Sequence, residues 1–491
     1  MADLRYARTS GAAVKGAKTV VFLAPERRIR KGWLKKAVDA PWVGLLARAA
    51  KTIEAGPRGA LVSAVNPDAG PERLVLIALP DETARYNCPA RSVHADELLK
   101  KAEIGGGTTA VIACAEKADH ALPLGRALAR AWPLYSRQTG KSAKRLARFC
   151  ALSPSGEPRP LSKADRAIVD YSRWAARLVD MPTQELTTTD FVRETRKAAR
   201  GIKNLRVSVI NAKDLLAKGM GGLHAVGRTA IEGPKLLLLH YKPAGSKRLG
   251  ALIGKGIVYD TGGLSIKPSA GMFGMKMDMG GAAGVVGAAL ALAAGGHKDA
   301  FICAAALAEN AIGPDAYRPN DILDMHSGKT VEINNTDAEG RLVVADALSY
   351  IARTYKPDVL IDMATLTGAQ LIATGWRHAS VVTNRAGLER AALDAAAATG
   401  DLVHPLPFAP ELYQVEFASL VADMRNSVND RMNAQVSCAG QFIYSHISDL
   451  DMPWLHVDMA GPAERGGRAT GYGVALGALL LRGLDSKHLS A

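Results

Sequence analysis

Residues 250–268 read GALIGKGIVYDTGGLSIKP. The first eleven are a short apolar run, Gly250–Asp260, which reads as a buried strand. One lysine, Lys255, sits inside it, Asp260 ends it, and Lys267 follows a glycine turn. Runs of the same kind recur at Lys235–Tyr241, Phe301–Ala308, Asp358–Ala364, Ala379–Asn384 and Trp454–Ala460, with helical patterns near Gly281–Ala294 and Gly340–Thr354 between them. Strands alternating with helices predict an α/β fold with a central mixed, mostly parallel sheet flanked by helices. Polar residues gather where the strands end, at Asp260, Asn310, Asp362 and Asp458. In open α/β sheets, sites form at the carboxyl ends of strands.

Upstream, the first 150 residues show the same alternation. Lys18–Ala24, Arg73–Leu79 and Thr109–Ala115 read as strands, and Trp42–Ile53 and Leu122–Ala131 as amphipathic helices. Ala151–Asp165 is rich in Pro, Ser and Gly and marks a linker, followed by a helix over Lys163–Leu178 with Ser162 as its cap. The expected plan is an α/β domain over residues 1–150, a linker and connecting helix over 151–178, and a second α/β domain over 179–491. A chain of 491 residues with 48 % apolar content has ample core-forming material, so global disorder is excluded.

The net charge of +15 is unevenly spread. Residues 1–250 hold 44 Lys and Arg against 22 Asp and Glu, and residues 251–491 hold 18 against 25. A basic front and an acidic back point to two parts with different jobs, and the front is a candidate surface for nucleic acid or simply a solvated face. Five cysteines without a CxxC pair argue against a disulfide scaffold and a zinc ribbon, and suit a reducing, cytoplasmic compartment. The Arg-rich N-terminus, with Asp3 early and no apolar segment at once behind it, does not read as a signal peptide. The longest apolar stretch, Ala282–Gly296, is too short for a membrane span.

There is no GxSxG elbow, HExxH pair or Walker loop. The glycine-rich GGAAGVVG at Gly280–Gly287 lacks the lysine of a phosphate loop and reads as a close-packed helix start. What stands out is a set of lysines and carboxylates within about 90 residues: Lys255, Asp260 and Lys267; Asp278 in MKMDMGG; and Asp337, Glu339 and Arg341 in NNTDAEGRL. A lysine in a buried strand needs a counter-charge or must lose its proton. Four carboxylates brought together repel unless cations hold them. Asp260, Asp278, Asp337 and Glu339 with Lys255 supply donors for two divalent ions, the usual arrangement for metal-assisted hydrolysis. If the segment is extended, Asp337, Glu339 and Arg341 fall on one side, and Gly340 lets the chain bend into the next helix.

At this point the sequence resembles the leucyl aminopeptidases, the M17 di-zinc metallopeptidases. NTDAEGRL at Asn335–Leu342 is similar to the signature of that family, and GKG-(x)3-DTGG-(x)3-KP, MK-x-DMGGAA and DMATLTGA at Asp362–Ala369 follow its order and spacing. The resemblance covers about residues 160–491. The long KTVEINNTDAEGRL and the later ADMRNS (Ala422–Ser427) look most like an aminopeptidase-like branch, distinct from the bacterial DNA-binding members. The first 150 residues carry no matching motif, although the family has a variable N-terminal α/β domain there.

The resemblance implies roles. One ion is held tightly by Lys255, Asp260, Asp278 and Glu339. The other, more exchangeable, is held by Asp260, Asp337 and Glu339 with a main-chain oxygen of Asp337. Lys267 polarises the scissile carbonyl. Arg341 holds a bicarbonate that serves as general base, helped by the backbone of Leu366. Met275, Thr365, Gly368, Ala460 and Ala463 form the side-chain pocket. It further implies Zn or Mn (Mg or Co as alternatives), short peptides with a free N-terminus as substrates, and a hexamer of two stacked trimers. The residue chemistry agrees: water bridging two dications becomes a nucleophile near neutral pH, and no histidine or glutamate is left over as an obvious base. An apolar pocket predicts a Leu- or Met-like preference.

His224, His240 and His456 lie in or beside apolar strands and read as core or hydrogen-bonded residues, as does Cys303; His326 and His378 receive no role. Cys438 is not taken as reactive, and Asp423, Arg425 and Asn426 are placed at a rim or subunit contact. Two readings compete with the metallopeptidase: a nucleic-acid-binding protein using its basic front, with peptidase activity secondary, and a catalytically dead scaffold, disfavoured because every ligand type is present.

Overall fold

A computed structural model describes residues 2–139 and 145–489. The chain separates into two units, residues 1–173 with 396–402, and residues 174–395 with 403–491.

The first unit is built on strands β1 (Ala2–Tyr6), β2 (Thr19–Pro25), β3 (Ala60–Val65), β4 (Arg73–Leu79), β5 (Gly107–Cys114) and β6 (Arg145–Leu152). They form one sheet in the order β1-β6-β5-β2-β4-β3. All neighbours are parallel except β3 on β4. Strand β2 is buried along its whole length, as a central parallel strand covered on both faces requires. The expected helix over Trp42–Ile53 is instead a 3-10 turn, Pro41–Leu46, followed by a short α-helix, Ala47–Thr52. Pro41 starts the turn, and Gly44 inside it lowers helix propensity. The expected linker begins inside β6, whose last two residues are Ala151 and Leu152. The helix after it runs over Lys163–Asp180, and Ser162 Oγ accepts from Asp165 N at 3.1 Å as its cap.

No composition signal separates residues 396–402 from their surroundings, yet they belong to the first unit. Their anchor is Asp401, fully buried, which receives Arg126 Nη2 at 2.8 Å and Arg130 Nη2 at 2.9 Å, while Arg126 Nη1 donates to Thr399 O at 2.7 Å. A second cluster sits at the carboxyl ends of β2 and β5. Glu116 accepts from Arg27 Nη2 and Arg28 Nε, each at 2.8 Å, and from Arg91 Nη1 at 3.0 Å. Burial works against its charge, but the guanidinium hydrogen bonds of Arg27 and Arg28 and the charges of Arg27 and Arg91 prevail and lower the carboxyl to about 2. Because the folded value lies below the ordinary 4.5, the stabilisation is complete above that pH and is lost as pH falls toward 2. Glu116→Gln is therefore expected to cost about 1–2 kcal/mol at pH 7 after screening by solvent. Denaturant titrations at pH 7 and at acid pH check this: the difference from the parent should shrink in acid, and an equal loss at both would count against the cluster.

The second unit contains β7 (Leu205–Asn211), β8 (Lys235–Tyr241), β9 (Leu249–Asp260), β10 (Ala300–Asn310), β11 (Ile322–Asp324), β12 (Thr330–Glu332), β13 (Val359–Ala364), β14 (Ala379–Thr383), β15 (Val403–Pro405), β16 (Met424–Arg425), β17 (Trp454–Asp458), β18 (Glu464–Arg465) and β19 (Arg468–Ala469). Eight of them make the main sheet, β15-β14-β17-β13-β9-β10-β8-β7, with β17, β13, β9 and β10 parallel at its centre. Antiparallel pairs occur at β14 with β17, β10 with β8 and β8 with β7. A small sheet, β11-β12-β16, and the hairpin β18-β19 lie outside it. The fold is thus a mixed, mostly parallel α/β sheet flanked by helices, as expected. Strand β7 escaped the sequence reading because its alternating, half-buried pattern is weak.

The helix Gly280–Gly295 is apolar on all sides, and its residues through Ala293 are buried. The stretch Ser269–Gly295 is apolar and long enough to cross a membrane, but 89 % of its apolar window is buried inside the protein, so it is core. All five cysteines are free and buried.

Candidate functional site

Strand β9 runs between β10 and β13 and delivers Lys255 and Asp260 from the centre of the sheet. The other acidic residues arrive from loops and turns at its carboxyl end. Asp278 follows the 3-10 turn Met275–Met277, and Asp337 and Glu339 precede the helix Gly340–Tyr355. Lys255, Asp260, Asp278, Glu339 and Arg341 are only 1–4 % exposed.

Lys255 Nζ lies 2.8 Å from Asp278 Oδ2, 2.8 Å from Glu339 Oε1, and donates to Thr365 O at 2.9 Å. Burial alone would lower its pKa, but Asp278, Glu339 and Asp260 outweigh it and hold the ammonium above its ordinary value. Lys267 Nζ lies 2.8 Å from Asp260 Oδ2 and also pairs with Asp337. It too is raised against burial, by Asp260, Glu339 and Asp337. The carboxyls move the other way. Burial raises Asp278 and Glu339, with Asp260 adding to it and Lys255 opposing; burial and Asp260 raise Asp337.

The segment carrying Asp337, Glu339 and Arg341 is not extended, as the alternating spacing suggested. Thr336 and Asp337 form a turn, Glu339 has φ −76° and ψ −34°, and Arg341 already lies in the helix. Gly340 is needed for close approach rather than for bending: a Cβ there would sit 2.6 Å from Lys255 Cε and 2.7 Å from its Nζ. Gly262, at φ +85°, turns the chain so that its N–H donates to Asp260 Oδ1 at 2.9 Å.

The cluster fits divalent cations. Oxygens of Asp260, Asp337 and Glu339 lie within 4.8 Å of one another. Glu339 Oε2 is buried with no hydrogen-bond donor among the described residues. Two ammonium groups already sit among the four carboxylates, which shows where positive charge is wanted.

Arg341 is the complementary case. Its Nε and Nη1 are buried without an acceptor among the described residues, and its Cζ lies 5.9 Å over the Phe442 ring. Burial lowers it to about 10, against the pull of Glu339, so it remains cationic at neutral pH. An orphaned, buried guanidinium is a built donor set for a small anion. The Leu366 N–H donates to Asp458 Oδ1 at 3.1 Å, and Thr367 Oγ1 donates to Asp458 Oδ2 at 2.7 Å.

Among the expected pocket residues, Thr365 is buried and its Oγ1 donates to Asp278 Oδ1 at 2.8 Å. Ala463 is buried, Met275 and Ala460 are half-buried, and Gly368 is exposed. Sequence reasoning gave Asn310 no role. Its Nδ2 donates to Asp260 Oδ1 at 2.8 Å and to Thr336 O at 3.1 Å, and its position opposite Asp260 in the β9–β10 register was the available signal. His456 is fully buried and paired with Asp362 at 2.5 Å. Burial pushes the Cys438 thiol up to about 11, consistent with an unreactive thiol.

The chain is similar to known proteins over most of its length. Residues 173–478 match the catalytic domain of the cytosol aminopeptidase family, and residues 46–141 match an M17 aminopeptidase N-terminal domain. The chain is 45 % identical over 409 residues to the probable aminopeptidase NPEPL1 of Homo sapiens, covering 81 % of this chain and 77 % of that protein. The apo leucyl aminopeptidase of Trypanosoma cruzi superposes with a TM-score of 0.89 at 38 % identity, covering 99 % of this chain and 97 % of the other. The bottromycin maturation enzyme BotP, solved in complex with Mn, superposes with a TM-score of 0.78 at 26 % identity, covering 95 % and 99 %. With its catalytic half matched throughout and buried carboxylates gathered around two lysines, the chain belongs to the cytosol aminopeptidase (M17) family, and it is a metal-dependent hydrolase of the leucyl aminopeptidase type.

Proposed function

We propose that this protein removes N-terminal Leu- or Met-like residues from short peptides, using two divalent ions held entirely by residues after 179. Lys255, Asp260, Asp278 and Glu339 would hold one ion, and Asp260, Asp337 and Glu339, with the main-chain oxygen of Asp337, the other. The observation that carries the reading is the interleaving of two ammonium groups with four carboxylates, next to an Arg341 whose buried Nε and Nη1 have no acceptor among the described residues. The ions supply Lewis acidity and lower the pKa of water.

The chain's own residues do the rest. Lys267, held cationic by its carboxylate neighbours, would hydrogen-bond the scissile carbonyl oxygen and stabilise the negative charge that develops there. Arg341, with the backbone of Leu366, would hold a bicarbonate, which would supply a general base there. Met275, Thr365, Gly368, Ala460 and Ala463 bound the substrate side chain, with Thr365 also fixing Asp278. Lys255 must give up its proton when a dication arrives, so metal uptake should release protons. The reading extends to Zn or Mn as resident metal, a homohexamer and a cytosolic location. Mn in BotP and the naming of relatives as cytosol aminopeptidases support the first and last.

Hydrolysis of Leu-para-nitroanilide tests it. Chelation should abolish turnover, and Zn²⁺, Mn²⁺ or Co²⁺ should restore it. No turnover with any metal, at demonstrated occupancy, would refute the reading.

A further inference from the structure

The ADMRNS stretch, Ala422–Ser427, has no place in the chemistry above, yet it holds Asn426, which is fully buried. Strand β16 pairs Met424 with Val331 and Arg425 with Glu332 of β12, and Asn426 N then donates to Glu332 O at 3.1 Å. This pairing sets the Asn426 side chain against the irregular segment that follows β12 and ends at Glu339. Asn426 Oδ1 accepts from Asn334 N at 3.0 Å and from Asn335 N at 3.3 Å. Its Nδ2 donates to Asn335 O at 2.7 Å and to Ala338 O at 3.2 Å. One amide thus satisfies four main-chain groups of a segment with no ladder of its own. Asn334 adds a reciprocal pair, with its Nδ2 on Ser427 O at 3.1 Å and its Oδ1 on Ser427 N at 3.0 Å.

The clamp grips the segment on both sides of Asp337. That residue is pressed toward Asp260, a like charge, and its ion-pair partner is Lys267. A loop free to move would swing Asp337 outward to relieve the repulsion. Contact with Asn335 O and Ala338 O denies it that freedom. Lys255 and Asp278 depend on β9 and on the turn after Met275 instead, and the Asn426 side chain bonds to Asn334, Asn335 and Ala338 rather than to either.

We propose that Asn426 is a positioning residue which holds the Asn334–Ala338 loop so that Asp337 stays in ligating position, and so sets the affinity of the ion held by Asp260, Asp337 and Glu339 more than that of the ion held by Lys255 and Asp278. The inference rests on the two-ion reading given above.

The test is titration calorimetry of the metal-stripped full chain with Mn²⁺, for the parent, Asn426→Ala and Asn426→Asp, together with thermal midpoints of the metal-free proteins and kcat at rising Mn²⁺. The aspartate is isosteric and keeps the acceptor while losing both donors. The expected result is two sites in the parent, and in both variants a 10–100-fold weaker Kd at the weaker site, with the tighter site changed less than about threefold. High Mn²⁺ should recover kcat. A lower thermal midpoint with both Kd values unchanged would overturn the proposal, because the residue would then be merely structural. Equal weakening of both sites, or failure of both variants to fold, would overturn it as well. A parent that binds fewer than two ions would overturn the two-ion reading itself, which keeps the two failures distinct.

Discussion

Replacing Glu339 by glutamine is expected to abolish metal binding and turnover while leaving the metal-free protein at least as stable as the parent. Glu339 is 1 % exposed, and its Oε2 has no donor among the described residues. Its Oε1 shares Lys255 with Asp278. A buried carboxylate in this position carries a desolvation cost that one shared ammonium does not fully repay, which agrees with the upward displacement of its pKa by burial and by Asp260. The neutral amide removes that cost and still leaves Lys255 paired with Asp278. The metal-free variant should gain about 1–2 kcal/mol and a few degrees in thermal midpoint. Without the oxygen common to both proposed sites, turnover should fall by about four orders of magnitude or more. Metal analysis, calorimetric unfolding and a peptide assay on one preparation decide it. A variant with full metal content and parental rate would remove Glu339 from the site.

The second large effect is that of Lys267→Ala, for which rate and metal affinity are expected to move in opposite directions. Lys267 Nζ occupies the carboxylates of Asp260 and Asp337. In the metal-free protein it is therefore a competitor for the same oxygens, and its removal leaves Asp260 and Asp337 facing each other with no cation between them. Divalent ions should bind more tightly to the variant, by about threefold to tenfold for a modest electrostatic gain. The rate should nevertheless fall by about 10²–10³, the usual loss when one donor to a developing oxyanion is deleted. The fall should lie mainly in kcat, because the carbonyl accepts its strongest hydrogen bond only as charge develops. A loss of metal together with rate would make Lys267 a structural residue rather than an electrophile.

Much of the site was legible because its chemistry is carried by charges that have no business in a core. Lys255 within an apolar strand demanded counter-charges, and Asp278 and Glu339 are those counter-charges. Other readings failed for reasons that can be named. The extended geometry inferred for Asp337, Glu339 and Arg341 rested on alternate spacing, which cannot tell a strand from a turn running into a helix. Gly340 looked like a hinge, and only packing shows that a side chain there would collide with Lys255. Asn426 was set aside because its partners lie about 90 residues away and are main-chain atoms, which leave no pattern in side-chain identity. The basic front was read as a surface property, and part of it is spent on internal carboxylates: Arg91, joined by the half-exposed Arg27 and Arg28, binds Glu116, and Arg126 and Arg130 bind Asp401.

By itself the sequence determined the α/β class, the strands that make the sheet centre, and the set of lysines and carboxylates that must share a neighbourhood. Those follow from short-range rules: apolar periodicity along the chain and the electrostatic cost of isolated buried charge. Tertiary structure alone decided which oxygen faces which ammonium, that residues 396–402 fold with the first unit, and that Asn310 donates to Asp260 while Asn426 binds the main chain on either side of Asp337. These depend on hydrogen bonds between segments remote in sequence, where the partner is as often a backbone carbonyl as a side chain, and every residue in the chain has one of those.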